Sequence, residues 1–551
     1  MSLAHDALVG AGMALYGWRF WRPLDRAAAA PARAQAAVLR HLLAANADTE
    51  FGRRHGFAAI RTPADYAARV PIQSYEDLRG YVERQRLTGE PALTAEAPAM
   101  YAQTSGSTGA PKFIPITPSQ LGIHRTEQKI FSYLQHRACP AAFSGRTLGI
   151  MGAAVEDTLD SGHAVGSVSG HLYRSMPRLV KARFVVPPDV SAVADHELKY
   201  LLILRLALET PDLTYLGAPN PSSFLRLATL LETHRAWLTA SLASGRFDRA
   251  GELPAAVRAA ITGRITPQAA RAAALDRLPA LTYATAWPRI ALVTTWTGGS
   301  CGIALGALRR LLPATTQVME LGYQATEFRG TLALDAESPA GLVPLRHTYL
   351  EFVDETAWND GRGEVRLIDE LDAGRRYQVI VTTAGGLYRY AMNDLVEVAG
   401  RHRATPLLRF VQKGRGVTSL TGEKLYESQV IDAVQAAAAA ARLQPPFFLM
   451  VADEAAQAYA LFVEPGGAVD AAVRADLEAA IDAGLAARNL EYQSKRDSGR
   501  LPRPSLHWAR PGSGETYKAA CVRAGQREGQ YKPAVLVYAR ELKLPLEALI
   551  E

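Results

Sequence analysis

A cluster of small hydroxyl residues and glycines occupies residues 104–112, in the stretch TSGSTGAPK. Glycine lets the backbone approach an anion closely and point successive N–H groups at it, while hydroxyls add donors and a lysine adds charge. The residues of this stretch that could bind phosphate are Ser105, Gly106, Ser107, Thr108 and Lys112. The stretch is not a Walker A loop, because only two residues separate its glycines and the lysine does not directly follow the second glycine. The alternative is an ordinary surface turn, for which this composition is also typical.

Two further stretches combine acids with aromatic residues. The first, YQATE, follows an extended apolar run and contains Tyr323, Thr326 and Glu327. The second, YRYAMND, closes a β-rich region and ends at Asp394. An acid at the end of a β run, where the chain enters a loop, is well placed to meet a ligand; the alternative is a turn aspartate. Glu327 could likewise be a turn or cap residue.

The elements that must position these residues alternate in type. Residues 213–218 predict a short strand, and Asn220 with Pro221 predicts an N-cap and first turn of a helix that continues to about residue 242. Strand and helix patterns continue to residue 322, which favours an α/β layered domain. Residues 363–369, 377–383 and 387–392 then read as strands that lead to Asp394.

The sequence pattern of the chain changes after residue 410. The segment QKGRG at residues 412–416 is polar and rich in glycine, as expected of a hinge. Beyond it the pattern reads strand, helix, two strands, helix and strand, which resembles a βαββαβ unit. We therefore expect a large domain at residues 1–411, a hinge at 412–416 and a small α+β domain at 417–551.

Composition narrows the class of protein. The 551 residues are 48% hydrophobic and 21% charged, which fits an ordinary globular chain of more than one domain and does not indicate disorder. The net charge of +7 is spread along the chain and suits an anionic small ligand at least as well as nucleic acid, so we expect no nucleic-acid partner. Three widely separated cysteines imply neither a disulfide framework nor a metal site, and a reducing cytoplasm is the simplest location.

The N-terminus is apolar from Ala7 to Tyr16 and then basic and aromatic. The apolar run is too short to span a bilayer, and no other run reads as transmembrane. We expect a helix that packs on the body of the protein, and leave weak peripheral membrane contact open. The chain is expected to be a monomer.

Taken together in chain order, these motifs resemble the acyl-adenylate-forming superfamily, and within it the acyl acid amido synthetases known in plants as the auxin-responsive family. The resemblance covers most of the chain and suggests a bacterial member. The matching stretches are VPIxSY from Val70, TSGSTGAPKFIP from Thr104, YQATE from Tyr323, YRYAMND from Tyr388, FVQKGRGVTSLTGEK from Phe410 and GQYKP from Gly529. It implies a large multi-sheet adenylation domain with a small mobile C-terminal lid.

The resemblance also implies roles for individual residues. Ser105, Ser107 and Thr108 would line the phosphates of ATP. Tyr323 would pack against the adenine, Thr326 would contact the α-phosphate and Glu327 would hold Mg²⁺. Asp394 would bind the ribose hydroxyls. The residues expected to act in catalysis are Thr326, Lys424 and Lys532, the two lysines being carried to the phosphate end by the small domain. The pocket for the acid matches no motif.

The chemistry explains this choice of residues. A carboxylate that attacks the α-phosphorus of ATP brings two anions together, so the site must screen charge and needs no protein nucleophile. The resulting acyl-adenylate can react with an amine to give an amide, and we expect that amine to be the amino group of an amino acid. Rival hypotheses are an acid–thiol ligase that uses coenzyme A and a nucleotide-binding protein without turnover.

Overall fold

The structure is a computed structural model that describes residues 3–104, 112–298, 301–336, 338–359, 363–413, 417–421, 423–467, 469, 471–526 and 531–550. Its helices are α1 Leu3–Tyr16, α2 Arg22–Ala27, α3 Pro31–Ala45, α4 Glu50–Arg54, α5 Pro63–Arg69, α6 Tyr75–Thr88, α7 Pro118–Ala138, α8 Val168–Ser175, α9 Arg178–Lys181, α10 His196–Leu208, α11 Pro221–Thr233, α12 Arg235–Ser244, α13 Ala255–Ile261, α14 Ala269–Asp276, α15 Tyr283–Ala286, α16 Cys301–Arg309, α17 Glu355–Asn359, α18 Glu427–Ala440, α19 Ala471–Arg488, α20 Leu490–Asp497 and α21 Ser513–Arg523.

The strands form five sheets. They are β1 Met100–Thr104, β2 Lys112–Ile116, β3 Arg146–Gly149, β4 Asp157–Thr158, β5 Ala164–Val165, β6 Leu213–Gly217, β7 Leu292–Thr295, β8 Gln317–Glu320, β9 Leu332–Ala333, β10 Gly341–Leu342, β11 Tyr349–Asp354, β12 Val365–Arg366, β13 Arg376–Thr382, β14 Tyr390–His402, β15 Thr405–Lys413, β16 Val417–Thr418, β17 Leu425–Tyr426, β18 Phe447–Asp453, β19 Ala458–Glu464, β20 Ser505–Trp508 and β21 Leu536–Tyr538.

A parallel sheet of order β3-β6-β7-β8 forms the α/β part of the chain. Its strands contribute mainly buried apolar residues, and α10 is almost wholly buried beside it, from Leu198 to Leu208. Because these strands are parallel, their carboxyl ends all lie at one edge of the sheet. Ligands of open α/β sheets bind at that edge.

An antiparallel sheet of order β12-β11-β13-β14-β15-β10-β9 carries the second acidic motif. Its longest strand, β14, pairs with both β13 and β15. The apolar faces of this sheet join the N-terminal helices α3 to α7 in one core. The smaller sheet β2-β1-β5-β4 contains the hairpin β1–β2, whose strands flank the Ser/Thr/Gly stretch.

The last part of the chain has its own four-stranded sheet of order β20-β19-β18-β21. Strands β18 and β19 are antiparallel, while β21 runs parallel to β18 and β20 parallel to β19. The predicted βαββαβ order holds from α18 to β20, but the first strand does not join the sheet. It forms the separate hairpin β16–β17, and β21 takes the place beside β18.

The α/β fold class with several sheets is confirmed, and some local predictions are corrected. The helix predicted from Asn220 to about residue 242 is two helices that break at His234. The strand predicted to end before Asp394 continues to His402, so Asp394 lies inside β14 and pairs with Lys413. The cross-strand partner β15 extends the pairing beyond the point where the local apolar pattern stops.

Candidate active site

A large cavity of ≈ 2410 Å³ lies along the carboxyl edge of the parallel sheet. Its walls include residues that follow β3, β6, β7 and β8, the start of β14, the end of β15 and the segment around Lys532 of the small domain. Pockets for one small ligand are typically about 300–1,000 Å³. The cavity is therefore large enough for a nucleotide together with other substrates.

Asp394 lies in this cavity with its two carboxylate oxygens in different environments. Its Oδ2 atom accepts a hydrogen bond of 2.7 Å from the hydroxyl of Tyr323. Its Oδ1 atom is buried and has no hydrogen-bond partner, although the residue is only 2% exposed. Because a buried acceptor without a partner is costly, Oδ1 is suited to accept hydrogen bonds from a ligand.

The backbone around Asp394 explains this placement. Arg389 and Asn393 both have positive φ, 45° and 54°, and they lie on either side of the first residues of β14. The buried guanidinium of Arg389 donates to Glu351 at 3.0 Å and to the carbonyl of Val70 at 2.7 Å. These contacts join the YRYAMND motif to the VPIxSY motif, and they fix the start of β14 relative to the N-terminal helices.

Tyr323 is held in place by its neighbours. Its ring stacks on Phe410 at 5.4 Å and meets Phe328 edge to face at 5.3 Å. A Cβ atom at position 330 would lie 2.2 Å from this ring, so Gly330 is required for the tyrosine to adopt its position. Burial raises the pKa of Tyr323, and the hydroxyl therefore remains a donor to Asp394.

Thr326 and Glu327 follow β8 in the loop that begins at Leu321, and both line the cavity. Gln120 of α7 fixes this loop by donating to the Glu327 carbonyl at 3.2 Å. Burial raises the pKa of the Glu327 carboxyl, while the nearby Lys413 opposes the shift. No ion pair to Glu327 occurs among the described residues. This carboxylate is available for a cation.

The residues around Glu327 fit Mg²⁺ bound together with a substrate better than they fit a metal ion held by protein ligands alone. Within the described ranges, no group of three or more His, Cys, Asp or Glu side chains is arranged to hold a metal ion. Mg²⁺ commonly binds through one or two carboxylates together with the phosphates of a substrate. A lone, partly desolvated Glu327 in a nucleotide-sized cavity is compatible with that mode.

The predicted phosphate residues Ser105, Gly106, Ser107 and Thr108 lie outside the described residues. The base of their hairpin is described, and Lys112 at the start of β2 lines the cavity with its ammonium 5.4 Å from the ring centre of Tyr75. The Tyr75 hydroxyl also bonds the backbone of Phe113, accepting from its N–H at 2.7 Å. Helix α6 thus fixes the strand that leaves the Ser/Thr/Gly stretch.

Lys532 extends from the small domain into the cavity. Its ammonium lies 4.3 Å from the ring centre of Phe410 and 4.5 Å from that of Trp296, both from the large domain. Burial lowers the pKa of Lys532, and the charge of Asp394 acts in the opposite direction. Asn220 of the large domain donates a hydrogen bond to the carbonyl of Tyr531. This contact anchors the residue that directly precedes Lys532.

Lys424 is not brought to this site. Its side chain is exposed and does not line the cavity. The backbone of Lys424 is instead bound within the small domain. Its carbonyl accepts a hydrogen bond from Asn489 at 2.8 Å, and its N–H donates to Glu491. The expectation that both lysines meet at the phosphate end is thus not met in this arrangement of the two domains.

Four further residues of the cavity had no predicted role, although Lys413 lies within the FVQKGRGVTSLTGEK stretch. Glu320 accepts from the N–H groups of Thr297 and Gly322, and burial raises its pKa. Lys413 lines the cavity close enough to Glu327 to oppose the rise in the pKa of its carboxyl. Trp296 contacts Lys532, and Glu427 begins α18. An acid at the end of an extended run was a usable signal for Glu320, the last residue of β8, whereas the positions of the other three depend on contacts distant in sequence.

Comparison with known proteins identifies the family. The GH3 family N-terminal domain matches residues 22–317, the central domain matches 341–413 and the C-terminal domain matches 428–541. The chain belongs to the GH3 family. The predicted resemblance is therefore confirmed, whereas a bacterial origin stays a prediction.

Named relatives of the GH3 family agree with this assignment. Indole-3-acetic acid-amido synthetase GH3.15 of Arabidopsis thaliana is 26% identical over 73% of this chain and 71% of that protein. Probable indole-3-acetic acid-amido synthetase GH3.7 of Oryza sativa subsp. japonica is 25% identical over 95% of this chain and 93% of that protein.

Solved structures show the same fold. GH3.15 acyl acid amido synthetase in complex with 2,4-DB superposes with a TM-score of 0.85, at 20% identity and 96% coverage of both chains. A 2-hydroxyisobutyryl-CoA ligase with 2-HIB-AMP gives a TM-score of 0.56, at 12% identity over 93% of this chain and 90% of that one. The curated relatives of this GH3 chain are thus named as amido synthetases, and the superposed structures show that it has the fold of an acyl acid amido synthetase.

Proposed function

We propose that this GH3 enzyme uses ATP and Mg²⁺ to adenylate a carboxylic acid and then transfers the acyl group to the amino group of an amino acid. The observation that carries the proposal is the carboxylate of Asp394. One oxygen is held by Tyr323 and the other is buried without a partner in the cavity. A ribose has two hydroxyl groups that can donate hydrogen bonds, and this second oxygen is suited to accept them.

The remaining residues divide the work of the first half-reaction. Tyr323 would pack against the adenine, and Thr326 would contact the α-phosphate. Glu327 would hold Mg²⁺, which when bound neutralises phosphate charge. The Ser/Thr/Gly stretch with Lys112 completes the phosphate site, in agreement with the family resemblance.

Lys532 supplies the charge that the reaction needs at its centre. Negative charge accumulates around the α-phosphorus as the acid attacks and pyrophosphate leaves. An ammonium removed from water interacts more strongly with such charge than one in solvent. The position of Lys532 among Phe410, Trp296 and Asp394 supports a role in adenylation.

The two half-reactions share this cavity, which supports a movement of the small domain between them. The proposed boundaries remain those predicted, with a large domain to residue 411 and a hinge at 412–416. Of this predicted hinge, Gln412 and Lys413 belong to β15, and residues 414–416 lie outside the described residues. Lids of this kind expose a site to a second substrate by domain rotation.

Location and assembly are less constrained. No helix of the described chain combines the length and apolar character needed to cross a bilayer. A monomeric, cytoplasmic enzyme without a nucleic-acid partner stays a prediction, and so does weak membrane contact at the N-terminus.

Exchange of labelled pyrophosphate into ATP, run over a panel of carboxylic acids, tests the first half-reaction. We expect exchange that depends on both the acid and Mg²⁺. Addition of amino acids to the productive mixture should then give an amide that mass spectrometry detects. Exchange without any acid would contradict the proposal, and release of an acyl-coenzyme A in preference to every amide would favour the thiol ligase.

A further inference from the structure

Helices α1 and α2 and the helical turn between them form one continuous rod over residues 3–27. The turn, Gly17–Trp21, joins the two helices without a break, because its flanking residues keep right-handed helical φ and ψ. At 1.5 Å per residue the rod is about 37 Å long. It packs on α7, where the ring centres of Trp21 and Tyr133 are 6.4 Å apart and Lys129 lies 4.9 Å from the ring centre of Phe20. The rod is therefore anchored with one side against the protein and the other side outward.

The exposed residues of this rod all lie on one side. Between residues 7 and 27, neighbours among the exposed residues are one, three or four positions apart, which is the spacing of one helical face. The buried residues Gly17, Trp21 and Leu24 fall outside this set. We call the exposed side the outer face, and its members are Ala7, Leu8, Ala11, Ala14, Leu15, Trp18, Arg19, Arg22 and Arg26.

The outer face has the reverse of the usual polarity. A helix on the surface of a protein normally turns charged and polar residues to water. Here the first six members are apolar, and Leu8, Leu15 and Trp18 are 61%, 55% and 60% exposed. These three are among eight large hydrophobic side chains that are exposed in the described part of the chain. Because clustered exposed apolar residues mark interaction sites, the outer face has the character of a binding surface.

The outer face ends in three arginines and includes no acid. Arg22 and Arg26 form no ion pair among the described residues. The one acid between residues 7 and 27, Asp25, is half-buried and already engaged, since its carboxylate pairs with His402 at 2.8 Å and with Arg403 at 2.6 Å. The two guanidinium groups are therefore available to an anionic partner.

A bilayer surface fits both halves of the outer face better than other partners do. Nucleic acid offers phosphates to the arginines but nothing to Leu8 and Leu15. A second copy of the chain would bring the same patch against itself in a two-fold interface, so its arginines would meet no acid there. An anionic bilayer has phosphate groups directly above hydrocarbon, and tryptophan favours the boundary between them.

We propose that the outer face binds the surface of an anionic phospholipid bilayer, with the rod lying in the plane of the membrane. Leu8, Leu15 and Trp18 enter the boundary between headgroups and acyl chains, while Arg22 and Arg26 contact the lipid phosphates. This contact is peripheral. It needs no enzymatic step, so the inference does not rest on the proposed function.

Cosedimentation of the full chain with vesicles tests the proposal. We expect binding to mixed phosphatidylglycerol and phosphatidylcholine vesicles to be about tenfold or more stronger than binding to phosphatidylcholine alone, and added salt should weaken it. The double variant Arg22→Gln, Arg26→Gln should lose about tenfold or more in binding to the mixed vesicles, because each basic residue near an anionic surface contributes about fivefold.

Leu15→Glu and Leu490→Glu form a matched pair. Both replace an exposed leucine by an acid and change the net charge alike, but Leu490 begins α20 in the small domain. Leu15→Glu should reduce vesicle binding by about tenfold or more, the contribution of one buried leucine side chain. Leu490→Glu should leave it unchanged. Circular dichroism checks that both variants fold like the unmodified protein.

Trp18 reports how deeply the rod enters the bilayer. Phospholipids brominated on their acyl chains quench only the tryptophans that lie close to them, and the chain has seven tryptophans. We expect quenching in the unmodified protein and loss of most of it in Trp18→Phe. Since phenylalanine remains an apolar aromatic anchor, this variant should still bind the vesicles.

Other outcomes overturn the proposal. Equal binding to both kinds of vesicle, or equal losses in Leu15→Glu and Leu490→Glu, would show that the outer face is not the contact. A doubled mass in light scattering that Leu15→Glu abolishes, without any vesicle binding, would assign the outer face to a second copy of the chain. Salt-sensitive binding without quenching of Trp18 would show that the arginines act alone and that the rod does not enter the bilayer.

Discussion

The two oxygens of Asp394 have separate tasks in the proposed site. Oδ2 is bound by Tyr323, which orients the carboxylate, and Oδ1 remains for a ligand. A related arrangement occurs at Glu327, which lines the cavity and whose backbone carbonyl is fixed by Gln120. In both cases a neighbouring side chain holds the residue and leaves its reactive atoms available.

Asp394→Ala should weaken ATP binding by about 1.5–3 kcal/mol for each charge-assisted hydrogen bond lost. Isothermal titration calorimetry with ATP measures the change in Kd. Tyr323→Phe is the matched control, because it keeps the carboxylate and the ring while it removes the orienting hydroxyl, and it should have a smaller effect. An unchanged Kd in a folded Asp394→Ala variant would rule out the ribose contact.

Lys532→Ala should slow acyl-adenylate formation by roughly a hundredfold or more, as expected when one preorganised donor to a transition state is lost. The rate of amide formation from supplied acyl-adenylate should change little. Rapid-quench measurement of the two half-reactions separates these effects. Lys495→Ala, which removes a small-domain lysine away from the cavity, should leave both rates unaltered. Equal losses in both half-reactions after Lys532→Ala would indicate a structural role.

Strand β14 depends on one buried ion pair for its position. Arg389 has a positive φ and joins Glu351 to the backbone carbonyls of Ala67 and Val70. Gln73 also pairs with this segment, donating to the Arg389 carbonyl at 2.9 Å. The motif that ends at Asp394 is thereby tied to a part of the chain more than 300 residues away.

Glu351→Ala should lower the free energy of unfolding by about 3–5 kcal/mol, because it leaves the Arg389 charge buried without its partner. Chemical denaturation monitored by circular dichroism measures this loss. Asp372→Ala breaks the exposed pair with Arg366 and should cost no more than about 1 kcal/mol. Similar losses in the two variants would show that burial does not govern the strength of the Arg389 pair.

Helix α18 begins with an acid whose charge state should alter stability. Burial raises the pKa of Glu427 to about 7, although Glu427 accepts from the Val535 N–H and faces Lys532. The unfolded chain ionises this group near pH 4.3. The folded protein therefore retains the proton to higher pH, and stability should fall as pH rises from about 4.5 to 7. Glu427→Gln should flatten that part of the Tm profile, and an identical profile in both proteins would contradict the shift.

Polar contacts join the large and small domains beside the cavity. Asn220 contributes one of them, since its Nδ2 atom donates to the Tyr531 carbonyl beside Lys532. The same residue caps α11, where its Oδ1 atom accepts from the Ser222 N–H at 2.9 Å. One side chain thus stabilises a helix of the large domain and the position of the small domain.

Asn220→Ser separates these two tasks, because serine is a good N-cap but is too short to reach Tyr531. We expect the free energy of unfolding to remain within about 0.5 kcal/mol, since the cap is kept. Adenylation should slow by about two- to tenfold, which corresponds to the net free energy of one lost hydrogen bond. Pyrophosphate exchange and denaturation measure the two quantities. An adenylation rate equal to that of the unmodified enzyme would show that the contact does not hold the small domain.

The local sequence was sufficient to predict the α/β class, because glycine, proline and apolar periodicity act over a few residues. The resemblance of its motifs to those of a known family predicted the family, and the roles of the YQATE and YRYAMND residues stay predictions. Contacts distant in sequence decided the rest. Pairing with β15 placed Asp394 inside a strand, and docking of the small domain placed Lys532 in the cavity while Lys424 stayed exposed. Packing on α7 likewise turned an apolar N-terminal stretch into a wall of the cavity. The position of a side chain in a site depends on which elements pack together, and that is a property of the whole fold.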